Sequence, residues 1–266
     1  MGITYNIQEE KFDFDFCHDD RKDIIHLVGS GYDVEAFGKC FYYGYEFTDE
    51  VEGSLRSEFI KYLKFTPNLQ QEKNLTQFIQ KAINDLSRKV NLYHYDLVIM
   101  PESSSKVNQY MLRYLYRFAQ PSMQKMELVK SLPSRITFDM EEYESQYLND
   151  VLENGRPRYT ETQKAEAKQR INEMMELIHN KDYFTIAKDV KKSKFRPYIQ
   201  RFLTFASPKD ELLYSKINEQ NVLVVDDVTT SGSTLNEILR AIRTINDTNN
   251  ITIFSLLGRK DLMAES

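Results

Sequence analysis

The chain has no tryptophan, two cysteines and nine glycines in 266 residues. Average glycine usage of about 7% would give roughly twice as many, so a glycine spent inside a polar loop has meaning. Cys17 and Cys40 are too few for a disulfide framework, and neither has metal-ligand spacing. His18, His26, His94 and His179 are scattered and make no zinc signature. No apolar run approaches the roughly 18 residues of a membrane span. The opening M-G-I-T-Y-N-I-Q-E-E lacks the pattern of a signal peptide, and Asn6 stands where myristoylation needs Ser or Thr. Cytoplasm is therefore the expected location, with no membrane partner. A net charge of −5 gives no global attraction for nucleic acid.

What is present is globular: 41% hydrophobic and 28% charged residues, enough for a sizeable core. Residues 1–66 are aromatic and irregular, and we expect a cap or subdomain there. Ile24–Val28 and Cys40–Phe47 read as strands by their β-branched and aromatic content. Gly29-Ser30-Gly31-Tyr32 is a turn rather than a phosphate loop, since no third glycine follows.

From Asn74 the rhythm changes. Leu75, Phe78, Ile79, Ala82, Ile83, Leu86 and Val90 fall on one face of a helix. Tyr95–Met100 is a short buried strand, Pro101 to Lys106 a polar loop, and Val107, Met111, Leu112, Leu115 and Phe118 a second helical stripe. The pattern repeats near the end: strand Asn221–Val225, loop Asp226–Thr234, and a helix carrying Leu235, Ile238, Leu239, Ile242 and Ile245. A last strand spans Ile251–Leu257. Helix, strand, loop, helix predicts an α/β domain over 67–266, a Rossmann-like parallel sheet flanked by helices. An insertion of about residues 130–215 interrupts it. Within the insertion, Arg156–Arg201 holds 12 basic and six acidic residues, a charge of +6 that leaves −11 for the remainder.

The second loop carries the chemistry. In Asn221–Leu235, N-V-L-V-V-D-D-V-T-T-S-G-S-T-L, an apolar strand ends in Asp226 and Asp227. After Val228 come Thr229, Thr230, Ser231, Gly232, Ser233 and Thr234. Ligands of open parallel sheets bind beyond the carboxyl ends of strands. Small residues before a helix let unpaired backbone N–H groups wrap a phosphate. No lysine follows the glycine, so this is not a nucleoside-triphosphate loop. Adjacent carboxylates beside a phosphate make sense as acceptors for the hydroxyls of a ribose, or as ligands of a divalent cation.

These residues resemble the phosphoribosyl pyrophosphate (PRPP) motif of type I phosphoribosyltransferases: strand, acidic pair, apolar residue, Thr/Ser–Gly loop. The resemblance covers about 14 residues and implies the fold of that family. It also implies that Asp226 and Asp227 are the catalytic pair that binds the ribose and Mg²⁺, that Thr229, Thr230, Ser231, Gly232, Ser233 and Thr234 take the 5-phosphate, and that Val228 belongs to the same PRPP-binding stretch. A second loop of the family contacts the pyrophosphate; by position it is Glu102, Ser103, Ser104, Ser105 and Lys106. A mobile basic hood would draw on Arg156, Arg158, Lys188, Lys191, Lys192, Lys194 and Arg196. Thr230 stands where the hypoxanthine-guanine branch has an acidic base, so a 6-oxopurine acceptor is disfavoured. The tail around Leu256-Leu257-Gly258-Arg259 looks closest to competence-associated members, and T-E-T-Q at Thr160–Gln163 loosely resembles a segment of that group.

The implied activity is transfer of phosphoribosyl from Mg²⁺-PRPP to a nitrogen nucleophile of a small-molecule acceptor, with release of pyrophosphate. Two alternatives share the motif: a non-catalytic PRPP-binding regulator, and a competence-type accessory protein that handles nucleic acid through the basic middle. A homodimer is compatible with either.

Overall fold

The computed structural model describes residues 2–6, 11–15, 41–46, 58–63, 73–103, 106–150, 156–228 and 233–258. In chain order the first elements are β1 (Gly2–Asn6), β2 (Lys11–Asp15), β3 (Phe41–Glu46) and a short helix α1 (58–63). Then come α2 (Lys73–Lys89), β4 (Leu97–Pro101), α3 (Val107–Leu115) and β5 (Gln124–Lys130). The middle supplies β6 (Thr137–Phe138), α4 (Met140–Tyr143), α5 (Glu161–His179), α6 (Ile186–Asp189), β7 (Ile199–Gln200), β8 (Leu203–Phe205) and α7 (Pro208–Tyr214). β9 (Asn221–Val228), α8 (Ser233–Ile245) and β10 (Asn250–Gly258) complete the fold. Cys17, Cys40, the expected strand at Ile24–Val28 and the turn at Gly29–Tyr32 lie outside the described residues.

The main sheet has the order β3-β10-β9-β4-β5-β8. Its first five strands are mutually parallel, and β8 runs antiparallel to β5. This is the Rossmann-like α/β architecture that the helix-strand-loop-helix rhythm predicts. β3 comes from the first 66 residues and forms an edge of this sheet, while β1 and β2 form a separate hairpin.

Both faces of the sheet are covered, and the pleat sorts the side chains between them. Leu97, Ile99, Val222, Val224, Ile251 and Ile253 face α5, α8 and the middle region. Val98, Met100, Leu223, Val225 and Phe254 face α1, α2 and α3. The helices follow their apolar stripes: Leu75, Phe78, Ile79, Ala82, Ile83 and Leu86 of α2 are all buried, as are Leu235, Ile238, Leu239 and Ile242 of α8. Among the described residues, no helix is long and apolar enough to cross a membrane.

The middle region differs from a mobile loop. Ile171, Met175 and Ile178 of α5, with Phe184, Val190, Phe195 and Tyr198, are buried in the same core as the sheet. The T-E-T-Q segment has a local explanation. Thr160 accepts from the Gln163 N–H while the Gln163 side chain accepts from the Thr160 N–H, a capping box that starts α5.

Candidate functional site

Parallel sheets leave a crevice where the chain's winding direction reverses. Here β4 is followed outward by β5, and β9 is followed outward in the other direction by β10, so the reversal lies between β4 and β9. Their pairing runs only from Leu97↔Val222 to Ile99↔Val224. Beyond it Met100 and Pro101 pair with β5, and Val225, Asp226 and Val228 pair with β10. The two strands therefore part company just before Pro101 and Asp226. At their amino ends the same strands are tied: Asp96 accepts from the Asn221 N–H at 3.1 Å and from Gln120 Nε2 at 3.0 Å.

Asp226 and Asp227 sit in this opening and are 5% and 3% exposed. The pleat sends consecutive side chains to opposite faces, which relieves the repulsion that two adjacent carboxylates would otherwise suffer. Asp226 Oδ1 accepts from the Asp227 N–H at 2.9 Å. Ser103, at the end of β4, donates its hydroxyl to Asp227 Oδ2 at 3.4 Å. The two loops singled out from the sequence thus meet across the opening. Ser233 begins α8 and is buried, Thr234 and Val228 are half-buried, and the 13-residue helix α8 is the next element after β9.

On the other loop, the Glu102 N–H donates to the Leu128 carbonyl at 2.6 Å, which continues the link to β5 while its side chain stays exposed. Lys106 is exposed and stands just before α3, its carbonyl accepting from the Tyr110 N–H at 3.0 Å. Ser104, Ser105, Thr229, Thr230, Ser231 and Gly232 lie outside the described residues.

The donor chemistry fits Mg²⁺. Among the described residues no cluster of three or more His, Cys, Asp or Glu could cage a metal. Mg²⁺ commonly binds through one or two carboxylates plus substrate phosphates instead, which is what Asp226 and Asp227 offer.

The basic candidates of the middle region find local partners. Arg158 pairs with Asp150 at 2.9 Å, and Arg196 Nε donates to the Val190 carbonyl at 2.9 Å. Lys194 donates to the Tyr147 hydroxyl at 2.9 Å, and Lys192 lies over the Phe195 ring. Arg156, Lys188 and Lys191 are exposed. Around them is a cluster that composition alone did not reveal: Phe138, Tyr143, Tyr147, Tyr159, Phe195 and Tyr198, with ring centroids 5.1–6.2 Å apart. It grows from β6 and β7, which lie beyond the carboxyl end of β5, and the Ser193–Tyr198 turn touches α8. Burial, reinforced by its tyrosine neighbours, pushes the Tyr143 phenol up to about 12. The hydrogen bond from Lys194, aided by one from Tyr159, holds the Tyr147 phenol below its ordinary range.

No family model matches the chain, and no curated protein does. Among solved structures, a hypoxanthine phosphoribosyltransferase from Staphylococcus aureus is similar at 11% identity and a TM-score of 0.33, over 72% of this chain and 68% of that one. So distant a likeness carries no argument, and the functional case stands on Asp226, Asp227 and Ser103 themselves.

Proposed function

We propose that the chain is a phosphoribosyltransferase of the type I kind, which binds Mg²⁺-PRPP and passes the phosphoribosyl group to a nitrogen nucleophile. The observation that carries the reading is the contact between Ser103 and Asp227 in the opening between β4 and β9. It joins the acidic pair of the PRPP-like motif to the loop expected to meet pyrophosphate.

In this reading Asp226 and Asp227 accept hydrogen bonds from the ribose hydroxyls and fix the sugar at the strand ends. The residues from Thr229 to Thr234 take the 5-phosphate at the start of α8, where backbone N–H groups and hydroxyls supply donors. Ser103, Ser104, Ser105 and Lys106 face the pyrophosphate. Mg²⁺, when bound, neutralises charge on the departing pyrophosphate. Catalysis is then positional and electrostatic: the acceptor nitrogen attacks the anomeric carbon from the face opposite the leaving group, with inversion.

The test is titration calorimetry with Mg²⁺-PRPP, followed by pyrophosphate release across a panel of nitrogenous bases. Binding with release for one acceptor supports the enzyme. Binding with no release for any acceptor supports a regulator that reads PRPP. Absence of binding overturns both.

A further inference from the structure

Arg201 stands in the bend between β7 and β8 with φ 61°. In that left-handed region Cβ crowds the following carbonyl, and glycine or asparagine is the usual occupant. The bend is held from three sides. The Ser131 N–H donates to the Phe202 carbonyl at 3.0 Å, the Leu203 N–H donates to Glu237 Oε1 at 3.4 Å, and Gln200 pairs with Thr137. Glu237 is itself buried and gripped by the Arg240 guanidinium through two bonds of 2.7 Å. Ile199, Phe202 and Leu203 are buried, whereas Arg201 is exposed and has no hydrogen bond, ion pair or ring contact among the described residues. Strained backbone persists where its surroundings over-determine it, and it gathers at ligand sites.

The tie to Glu237 fixes the height of the bend along α8. That helix starts beyond the carboxyl end of β9 and runs to the amino end, where Asn246 Nδ2 donates to the Ile217 carbonyl at 2.7 Å. β8 runs the same way, being antiparallel to β5, which is parallel to β4 and β9. Four residues back from Glu237 is a rise of about 6 Å to Ser233, the start of the helix. Two residues back from Leu203 is at most about 7 Å and reaches Arg201. Arg201 therefore stands level with the first turn of α8, at the end of the sheet where β9 carries Asp226 and Asp227. Glu219, with φ 56°, turns the chain into β9 at the opposite end, so conformation alone singles out neither residue. Place and charge single out Arg201. A phosphate near two buried carboxylates needs positive charge close by. The basic residues first expected to supply it, Arg158, Lys194 and Arg196, are engaged locally.

We propose that Arg201 is a binding residue: its guanidinium takes the phosphate of a sugar phosphate at the start of α8, and the pinned bend holds the arginine ready for it. The proposal rests on the PRPP reading for the identity of that group, the 5-phosphate of the ribose. It gives this phosphate a cation from the middle region and leaves pyrophosphate to the β4 side of the opening. The middle region is then joined to the site by a fixed bend rather than by a closing lid.

The experiment compares the full-length parent with Arg201→Asn, which accepts the left-handed backbone and loses the charge, and with Arg201→Gln, which loses the charge alone. Ribose 5-phosphate and Mg²⁺-pyrophosphate are titrated separately by calorimetry, and melting is followed without ligand. We expect ribose 5-phosphate affinity to fall at least about tenfold in both variants, through loss of a charge-assisted contact. Affinity for Mg²⁺-pyrophosphate should change less than about twofold. Arg201→Asn should melt no lower than the parent, since asparagine tolerates the bend. Parent-like binding of ribose 5-phosphate by both variants overturns the proposal and leaves the PRPP reading standing. Equal loss of both ligands overturns it, as does Arg201→Asn melting well below the parent, which makes the arginine a structural support. A parent that binds pyrophosphate but not ribose 5-phosphate also overturns it. A parent that binds neither overturns the PRPP reading and this proposal with it.

Discussion

The Ser103 hydroxyl reaches Asp227 Oδ2 at 3.4 Å across 124 positions of sequence. The contact is long for a hydroxyl-carboxylate bond, whose usual range is about 2.5–3.0 Å, and so it is weak. Its value is topological, since it shows which two strand ends share one opening.

Asp227→Asn keeps the size of the side chain and loses the charge that strengthens bonds from ribose hydroxyls, worth roughly 1.5–3 kcal/mol each. Affinity for Mg²⁺-PRPP should fall at least about tenfold, with the melting temperature near that of the parent. Calorimetry on Asp226→Asn and Asp227→Asn checks this. Parent-like binding by both variants removes the ribose assignment.

Ile171 of α5 is 1% exposed and packs in the core it shares with the sheet. Ile171→Ala should cost roughly 2–5 kcal/mol, as buried aliphatic truncations do. Because that core is continuous with β4 and β9, the variant should still melt in one transition, at a lower temperature. Calorimetric melting with a separate early transition would show the middle region to be an independent unit.

The same packing bears on proteolysis. A mobile basic hood is cut between Arg156 and Arg201 in the free protein and protected by Mg²⁺-PRPP, in the manner of closing lids. The helix α5, docked on the core through Ile171, Met175 and Ile178, predicts instead that trypsin spares Lys168 and Arg170 with or without ligand. Fragment masses decide between the two. Protection by a single-stranded oligonucleotide, lost as salt rises, would point to nucleic-acid handling.

Asp189 gives a pH dependence. Burial alone would push its carboxyl up, but the Lys181 ammonium and the Thr185 N–H, which donates at 2.7 Å, outweigh burial and hold it below its ordinary value. A depressed folded-state pKa contributes stability above the unfolded value and loses it as pH falls through the folded one. Asp189→Asn should therefore destabilise at pH 7, with the gap to the parent closing as pH drops below about 4. Urea melts at the two pH values measure it; a gap that persists unchanged in acid contradicts the pairing.

Much of the sheet was legible because its strands are unusual. Val-Leu-Val-Val in β9 and Leu-Val-Ile-Met in β4 are buried on both faces and read as continuous apolar runs. β5, Gln-Lys-Met-Glu-Leu-Val-Lys, was missed: only Met126 and Leu128 are buried, and its short alternation is lost among charged neighbours. In the middle region, α5 carries Ile171, Met174, Met175 and Ile178 at helical spacing. Its role as a core layer did not show, because the core it joins also holds tyrosines far apart in sequence, as Tyr143 and Tyr198 are, whose rings lie 5.1 Å apart. Asp226 and Asp227 stood out as charges at the end of an apolar run. Arg201 gave no such signal; an arginine in a basic stretch is ordinary until its left-handed backbone and its place beside α8 are seen.

The strand order has a consequence for biosynthesis. β9 and β10 are translated after all the other strands, yet they lie between β3 and β4 in the finished sheet. A nascent chain that has exposed everything up to α7 holds two separated pieces, an edge strand with no neighbour and a β4-β5-β8 fragment whose inner edge is bare. The opening beside Asp226 exists only once β9 has emerged and docked, so an incomplete chain on the ribosome lacks it. The bare inner edge of β4 is also where such a chain would be most exposed to wrong pairing, and where a holding chaperone would have most to do.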